Sequence, residues 1–141
     1  MVEEKEYKIE EAEENSDNKE FMIDAILHHA SWVIAYASER LLSDKELMLE
    51  AVKADGQELY YASKELRDDK DIVLAAVTNK PLIIKYASKR LRGDKDVAIA
   101  ALTNAKKPYS PESISIYLTE NILKDPDVDL ILHPPVEEES K

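Results

Sequence analysis

Three serines and a threonine stand at one register in the chain: Ser38, Ser63, Ser88 and Thr119, each two residues after a tyrosine (Tyr36, Tyr61, Tyr86 and Tyr117). A hydroxyl nucleophile needs a neighbouring base, and no histidine recurs in a matching register. These hydroxyls are therefore expected to be structural, packed against backbone carbonyls. The tyrosines could form a ligand ladder. The structural alternative buries each ring and gives its hydroxyl a polar partner, for which the next unit's aspartate is a candidate. The histidines are His28, His29 and His133. Neighbours on a helix do not share a face, so the His28–His29 pair is a poor metal site and reads instead as a loop-side pair. Most carboxylates fall where helices begin, and two glycines cannot build a phosphate-cradling loop. The expectation is no catalytic residue, no metal ligand and no cofactor. An enzyme remains only a rival reading, which a metal or cofactor held at His28 or His29 would revive.

The elements behind this register repeat. YASERLLSDKE from Tyr36, YASKELRDDKD from Tyr61, YASKRLRGDKD from Tyr86 and YLTENILKDPD from Tyr117 share an aspartate eight residues after the tyrosine: Asp44, Asp69, Asp94 and Asp125. An apolar segment follows each aspartate (LMLEAV, IVLAAV, VAIAAL, VDLILH), and NKEFMIDAI from Asn18 supplies an earlier copy. Starts at 18, 44, 69, 94 and 125 are spaced by 26, 25, 25 and 31 residues, with an insertion near 106–111.

Each unit reads as two short helices. In Asp125-Pro126-Asp127 the proline fits the first helical position, which makes Asp125, and by register Asp44, Asp69 and Asp94, the N-cap. Gly56, Asn79 and Asn104 are expected as stops in the left-handed conformation, and Pro81 as the restart. The second helix is expected to carry Leu59, Ala62 and Leu66 on its core stripe, with the alanine allowing close helix approach. Arg40, Lys64, Arg67, Lys89, Arg90 and Arg92 then meet the negative end of its dipole. One unit cannot bury its apolar face alone, whereas stacked units can. The expected fold is all-α: a short right-handed α-solenoid of about four helical hairpins over residues 18–133, with about nine helices. An unstacked up-and-down bundle is the competing arrangement. An acidic tail over 1–17, disordered or extending the first helix, and a flexible tail over 134–141 flank the repeats.

The string YAS-x-x-L-R-x-D-[K/R]-[D/E] followed by A-[A/V]-V resembles a tandem-repeat family catalogued as a domain of unknown function (DUF four-one-one-six). The likeness covers roughly residues 18–104 and is best in 61–77 and 86–102. The fourth unit loses the Ala-Ser pair and reads as a degenerate, capping copy. The resemblance implies the repeat fold and carries no catalytic residue with it.

Composition narrows the partners. The chain has 141 residues, 44% hydrophobic and 35% charged, with no cysteine and a net charge of −11. Thiolate sites and disulfides are excluded, and the acidity opposes non-specific nucleic-acid binding. No apolar run approaches a membrane span, and no signal peptide is visible, so an intracellular, cytoplasmic protein is expected, or one delivered into a host cell if it is an effector. Residues 1–20 carry nine acidic and three basic residues and 133–141 three and one, leaving 18 against 15 between them. The acidity thus describes the flanks more than the repeats.

Positions that vary between units are free to serve a partner. Four before, one before and three after the tyrosine stand Trp32, Ala35, Glu39; Gln57, Tyr60, Lys64; Leu82, Lys85, Lys89; and Ser113, Ile116, Glu120. Trp32, Tyr60 and Leu82, with Lys85, Lys89 and Arg92, form the expected partner-binding set, since aromatic anchors with a charged rim suit protein recognition. The alternative for Trp32 is a cover over the open N-terminal end. The leading expectation is a non-enzymatic protein–protein interaction module, an adaptor or effector, more simply a monomer. The rival is an acidic inhibitor or nucleic-acid mimic that works through residues 1–20.

Overall fold

The computed structural model describes residues 5–137. All regular structure among the described residues is helical. The aspartates do what their register predicts. Asp44, Asp69, Asp94 and Asp125 cap α4 (Lys45–Ala54), α5 (Lys70–Asn79), α7 (Lys95–Thr103) and α10 (Pro126–Leu132), and Asn18 caps α2 (Lys19–Leu27). Each cap oxygen accepts a backbone N–H of the first turn at 2.9–3.3 Å. These five helices lie in succession, each against the next.

The second helix is not one helix. It is a 3-10 turn that stops at the alanine, followed by a short separate helix. The turns are Ser31–Tyr36, Gly56–Tyr61 and Pro81–Tyr86. Ala37, Ala62 and Ala87 are extended, with ψ between 147° and 157°. Two α-helices, α3 (Glu39–Leu42) and α6 (Lys89–Arg92), and the 3-10 turn Leu66–Asp68 follow. The fourth unit substitutes α8 (Pro111–Ser115) and α9 (Glu120–Leu123). So each unit has three helical pieces, and the described residues hold more than the nine helices expected. Buried residues recur at spacings of three or four along these turns, as Ala30, Val33 and Ile34 in the first unit and Leu59 with Ala62 in the second, a spacing compatible with the 3.0-residue period.

The serines break the helix. Ser38, Ser63 and Ser88 accept the N–H of Leu41, Leu66 and Leu91 at 3.2–3.3 Å rather than resting on carbonyls, and Ser38 and Ser88 are the N-caps of α3 and α6. Thr119 makes no such side-chain bond. The same residues tie consecutive units by backbone: Ser63 N–H donates to the Leu42 carbonyl at 3.0 Å, Ser88 to Arg67 at 2.9 Å and Thr119 to Arg92 at 3.2 Å. With the helix interrupted, the basic residues fall on the short following pieces, with Lys89, Arg90 and Arg92 all in α6. Arg40 and Arg90 also clamp the side chain and carbonyl of Asp17 and Asp68, which accept from Ser38 and Ser88 as well.

The expected left-handed stops are absent too. No glycine has positive φ, and Asn104 sits at φ −91°. Gly56 is buried, and its N–H donates to Asn79 Oδ1 at 2.7 Å. The one left-handed residue among those described is His29, at φ 67°, where the first unit has its extra residue. His29→Gly relieves that conformation and is expected to raise stability by ~1 kcal/mol, read as a higher denaturant midpoint with unchanged slope.

A core runs unbroken between the row of long helices and the row of 3-10 turns, from Ala12 to Leu132. Ala12 belongs to α1 (Ile9–Glu14), which packs on the turn Ser31–Tyr36. Tyr7 meets the Phe21 ring edge-on at 5.8 Å, and its hydroxyl donates to Asp24 at 2.5 Å. The acidic segment is therefore folded onto the repeats from residue 5, and it, rather than Trp32 alone, covers the N-terminal end. Removing residues 1–20 would strip core contacts and the Asn18 cap, so that truncation does not isolate a mimic. Residues 134–137 are exposed and non-helical. The other expected tail residues, 1–4 and 138–141, lie outside the described residues. No helix among the described residues is long and apolar enough to cross a membrane.

Candidate partner-binding face

A lysine follows each cap in the first four units, and it reaches into the next one. Lys19 Nζ lies 3.0 Å from both Asp44 and Glu46. Lys45 bridges Asp69 (3.0 Å) and Asp71 (2.9 Å), and Lys70 bridges Asp94 (3.1 Å) and Asp96 (2.7 Å). Lys95 does the same for Asp125 (3.3 Å) and Asp127 (2.6 Å). Partial burial works to raise the Asp94 carboxyl, but the Val97 N–H and the Lys70 ammonium outweigh it and hold it below the usual carboxylate range. Asp44, Asp69 and Asp125 shift the same way. This ladder takes the place expected for a tyrosine–aspartate contact. None of the hydroxyls of Tyr36, Tyr61, Tyr86 and Tyr117 makes a hydrogen bond among the described residues, and their rings are half-buried or exposed. The recurrent acids and lysines are thereby accounted for structurally, which turns attention to the varied residues.

Several of those residues line two grooves that meet at Gln57. Trp32, 37% exposed, lines a groove of about 510 Å³ with Tyr7, Ile9, Ala35, Tyr36, Gln57, Glu58 and Tyr61. Its ring meets Tyr36 edge-on at 6.0 Å. Leu82 and Lys85 line another groove, about 370 Å³, between Pro81–Tyr86 and the inserted loop. Gln57 borders both. Tyr60, 53% exposed, stands against Tyr61 and Tyr86, with centroids at 5.0 and 5.1 Å. Lys85 Nζ sits 5.0 Å from the centre of the Tyr86 ring. Leu82 is half-buried against the core. Lys89 is exposed and lines neither groove. Arg92 belongs to the scaffold: it is half-buried, and Nη1 donates to the Tyr117 carbonyl at 3.2 Å.

Three cations of the Leu82 groove, Lys85, Lys106 and Lys107, have no carboxylate within 4 Å among the described residues, whereas Lys80 is held by Asp55 at 2.7 Å. Pro81, Leu82, Pro108, Tyr109 and Ile114 supply its apolar lining. The histidines are dispersed. His28 Nδ1 faces the Asp24 carbonyl at 2.7 Å, and His133 Nδ1 lies 3.0 Å from Asp129.

The family model described as Domain of unknown function (DUF4116) matches residues 18–67 and 69–118, well over half of the chain. The chain belongs to this family. Each DUF4116 match spans about two of the 25-residue units, and one interaction of the structure has the same two-unit period. The Asp17–Arg40 clamp recurs two units on as Asp68–Arg90, while the unit between has Ser43 and Glu65 at the two positions. No curated protein and no solved structure matches the chain.

Sequence reasoning passed over Glu58, Lys80, Tyr109 and the lysine ladder. Glu58 carried a readable signal. It stands three residues before Tyr61, where the other units have Val33, Ile83 and Ile114.

Proposed function

We propose that the chain is a protein-interaction module, a short right-handed α-solenoid whose Leu82 groove takes an acidic segment of a partner bearing an apolar anchor. The carrying observation is the pairing of unneutralised Lys85, Lys106 and Lys107 with an apolar floor, in a chain that is acidic overall. Such a floor supports anchoring, while the lysines favour approach of the opposite charge. The two rows of helical pieces and the 25-residue spacing support the solenoid reading.

The test reverses the groove's charge by joint Lys85→Glu, Lys106→Glu and Lys107→Glu. The control is Lys53→Glu with Lys64→Glu, both exposed and away from the groove. Quantitative capture from the source cell should lose its main partners at least about tenfold with the triple variant only, with the helical circular dichroism unchanged. Equal capture by both variants would place the interaction elsewhere.

A further inference from the structure

Glu58 occupies a core position. Its register partners Val33, Ile83 and Ile114 are at most 2% exposed, and Glu58 itself is 6% exposed. Burying a carboxyl there costs stability unless something compensates it. The compensation in the fold is thin. Oε1 accepts a 3.3 Å bond from Ser31 Oγ, and Oε2 has no hydrogen-bond partner among the described residues. The nearby Lys80 ammonium is spent on Asp55.

This carboxyl borders the Trp32 groove, whose other walls are mostly aromatic: Tyr7, Trp32, Tyr36 and Tyr61. Aromatic faces carry negative potential, and so does a carboxylate. An anion is repelled by both. A neutral apolar ligand has no use for the carboxyl. A hard metal ion needs several oxygen ligands, and the groove offers one carboxylate. A cation with an apolar skin satisfies every wall at once.

We propose that the Trp32–Tyr36–Tyr61 groove, with Glu58 at its edge, binds an alkylammonium group, carried either by a lysine side chain of a partner or by a free small amine. The site shares only Gln57 with the lysine-lined groove, and the proposal does not depend on that groove.

Trp32 is the sole tryptophan, so its fluorescence reports the site directly. Tetramethylammonium chloride is titrated into the full chain, with sodium chloride as the ionic-strength control and tert-butanol as a neutral probe of the same shape. A saturable change is expected with tetramethylammonium alone. Glu58→Gln, which keeps the side-chain shape, should weaken it at least about tenfold. Tyr61→Leu, at an exposed ring, should weaken it as well. A short peptide bearing trimethyllysine separates the sources: tighter binding than tetramethylammonium assigns the group to a protein side chain, and equal binding assigns it to a free amine. The proposal is overturned if Glu58→Gln titrates like the parent, if tert-butanol gives the same response, or if no saturable change occurs.

Discussion

Glu58→Ile is expected to melt above the parent protein at pH 8, and the gain should shrink as the pH falls. Burial, with a smaller push from Asp55, raises this carboxyl from 4.5 to about 7, against the opposing pull of Ser31 and Lys80. At high pH the folded chain holds an ionised, buried group, while the unfolded chain holds a solvated one. Below 4.5 both are protonated and the difference vanishes. Stability therefore falls as the pH climbs from 4.5 to about 7, and the penalty is complete above that window. The shift corresponds to ~3 kcal/mol, which isoleucine recovers while filling a position that Ile83 and Ile114 already occupy elsewhere in the array. The measurement is the stability difference between variant and parent at several pH values, so that titration common to both cancels. The tyrosines Tyr7, Tyr36 and Tyr61 and the Asp55–Lys80 pair are common to both chains. A gain that does not change between pH 8 and pH 4.5 would mean the carboxyl is solvated in the fold.

Gly56→Ala should act in the opposite direction and as strongly. A Cβ there would lie 2.4 Å from the Ala76 carbonyl oxygen and 3.1 Å from the Lys80 nitrogen, both backbone atoms of the next unit. That carbonyl already accepts the Lys80 N–H at 2.8 Å, so it has little room to turn away. The end of α5 must move off the turn Gly56–Tyr61, at a cost of ~3 kcal/mol, or roughly 10 °C in Tm. Gly93→Ala is the comparison. Its Cβ would meet the Thr119 side chain, at 2.6 Å from Oγ1, which can rotate. Equal losses in the two variants would show that general glycine replacement, rather than the approach of two backbones, sets the effect.

The parts of this fold that were legible from sequence are those whose cause is local. An aspartate before an apolar run caps a helix whatever surrounds it, and Asp44, Asp69, Asp94 and Asp125 all do. The break at Ala37, Ala62 and Ala87 was hidden because a six-residue run does not separate a 3.0 from a 3.6 period. Ser38 in mid-run also looks like a tolerated helical serine until its hydroxyl is seen capping Leu41. The lysine ladder was hidden for another reason. Lys45 and Asp71 are 26 residues apart, and only the stacking of units brings them to 2.9 Å. Of the candidate residues, Trp32, Tyr60, Lys85 and Lys89 are accessible because a varied position in a repeat is freed from packing. Arg92 varies too, yet it serves the Tyr117 carbonyl of the degenerate unit. Lys106, Lys107 and Tyr109 belong to the insertion, which has no counterpart in the other units to be compared with. Glu58 was the exception that sequence could have exposed, a charge in an apolar column.

The ladder is edited at both of its limits. The first cap is the neutral Asn18, and no lysine from an earlier unit reaches it among the described residues. At the other limit Pro126 holds the position where Lys19, Lys45, Lys70 and Lys95 stand, so no cation is passed onward. A polymer chemist would call these end groups. Between them the monomers are equivalent as far as the ladder goes: a duplicated unit would receive its lysine and offer one in turn. A unit joined after Leu132 would find a cap aspartate with nothing to neutralise it. The ladder's chemistry therefore sets no fixed number of rungs between its two end groups.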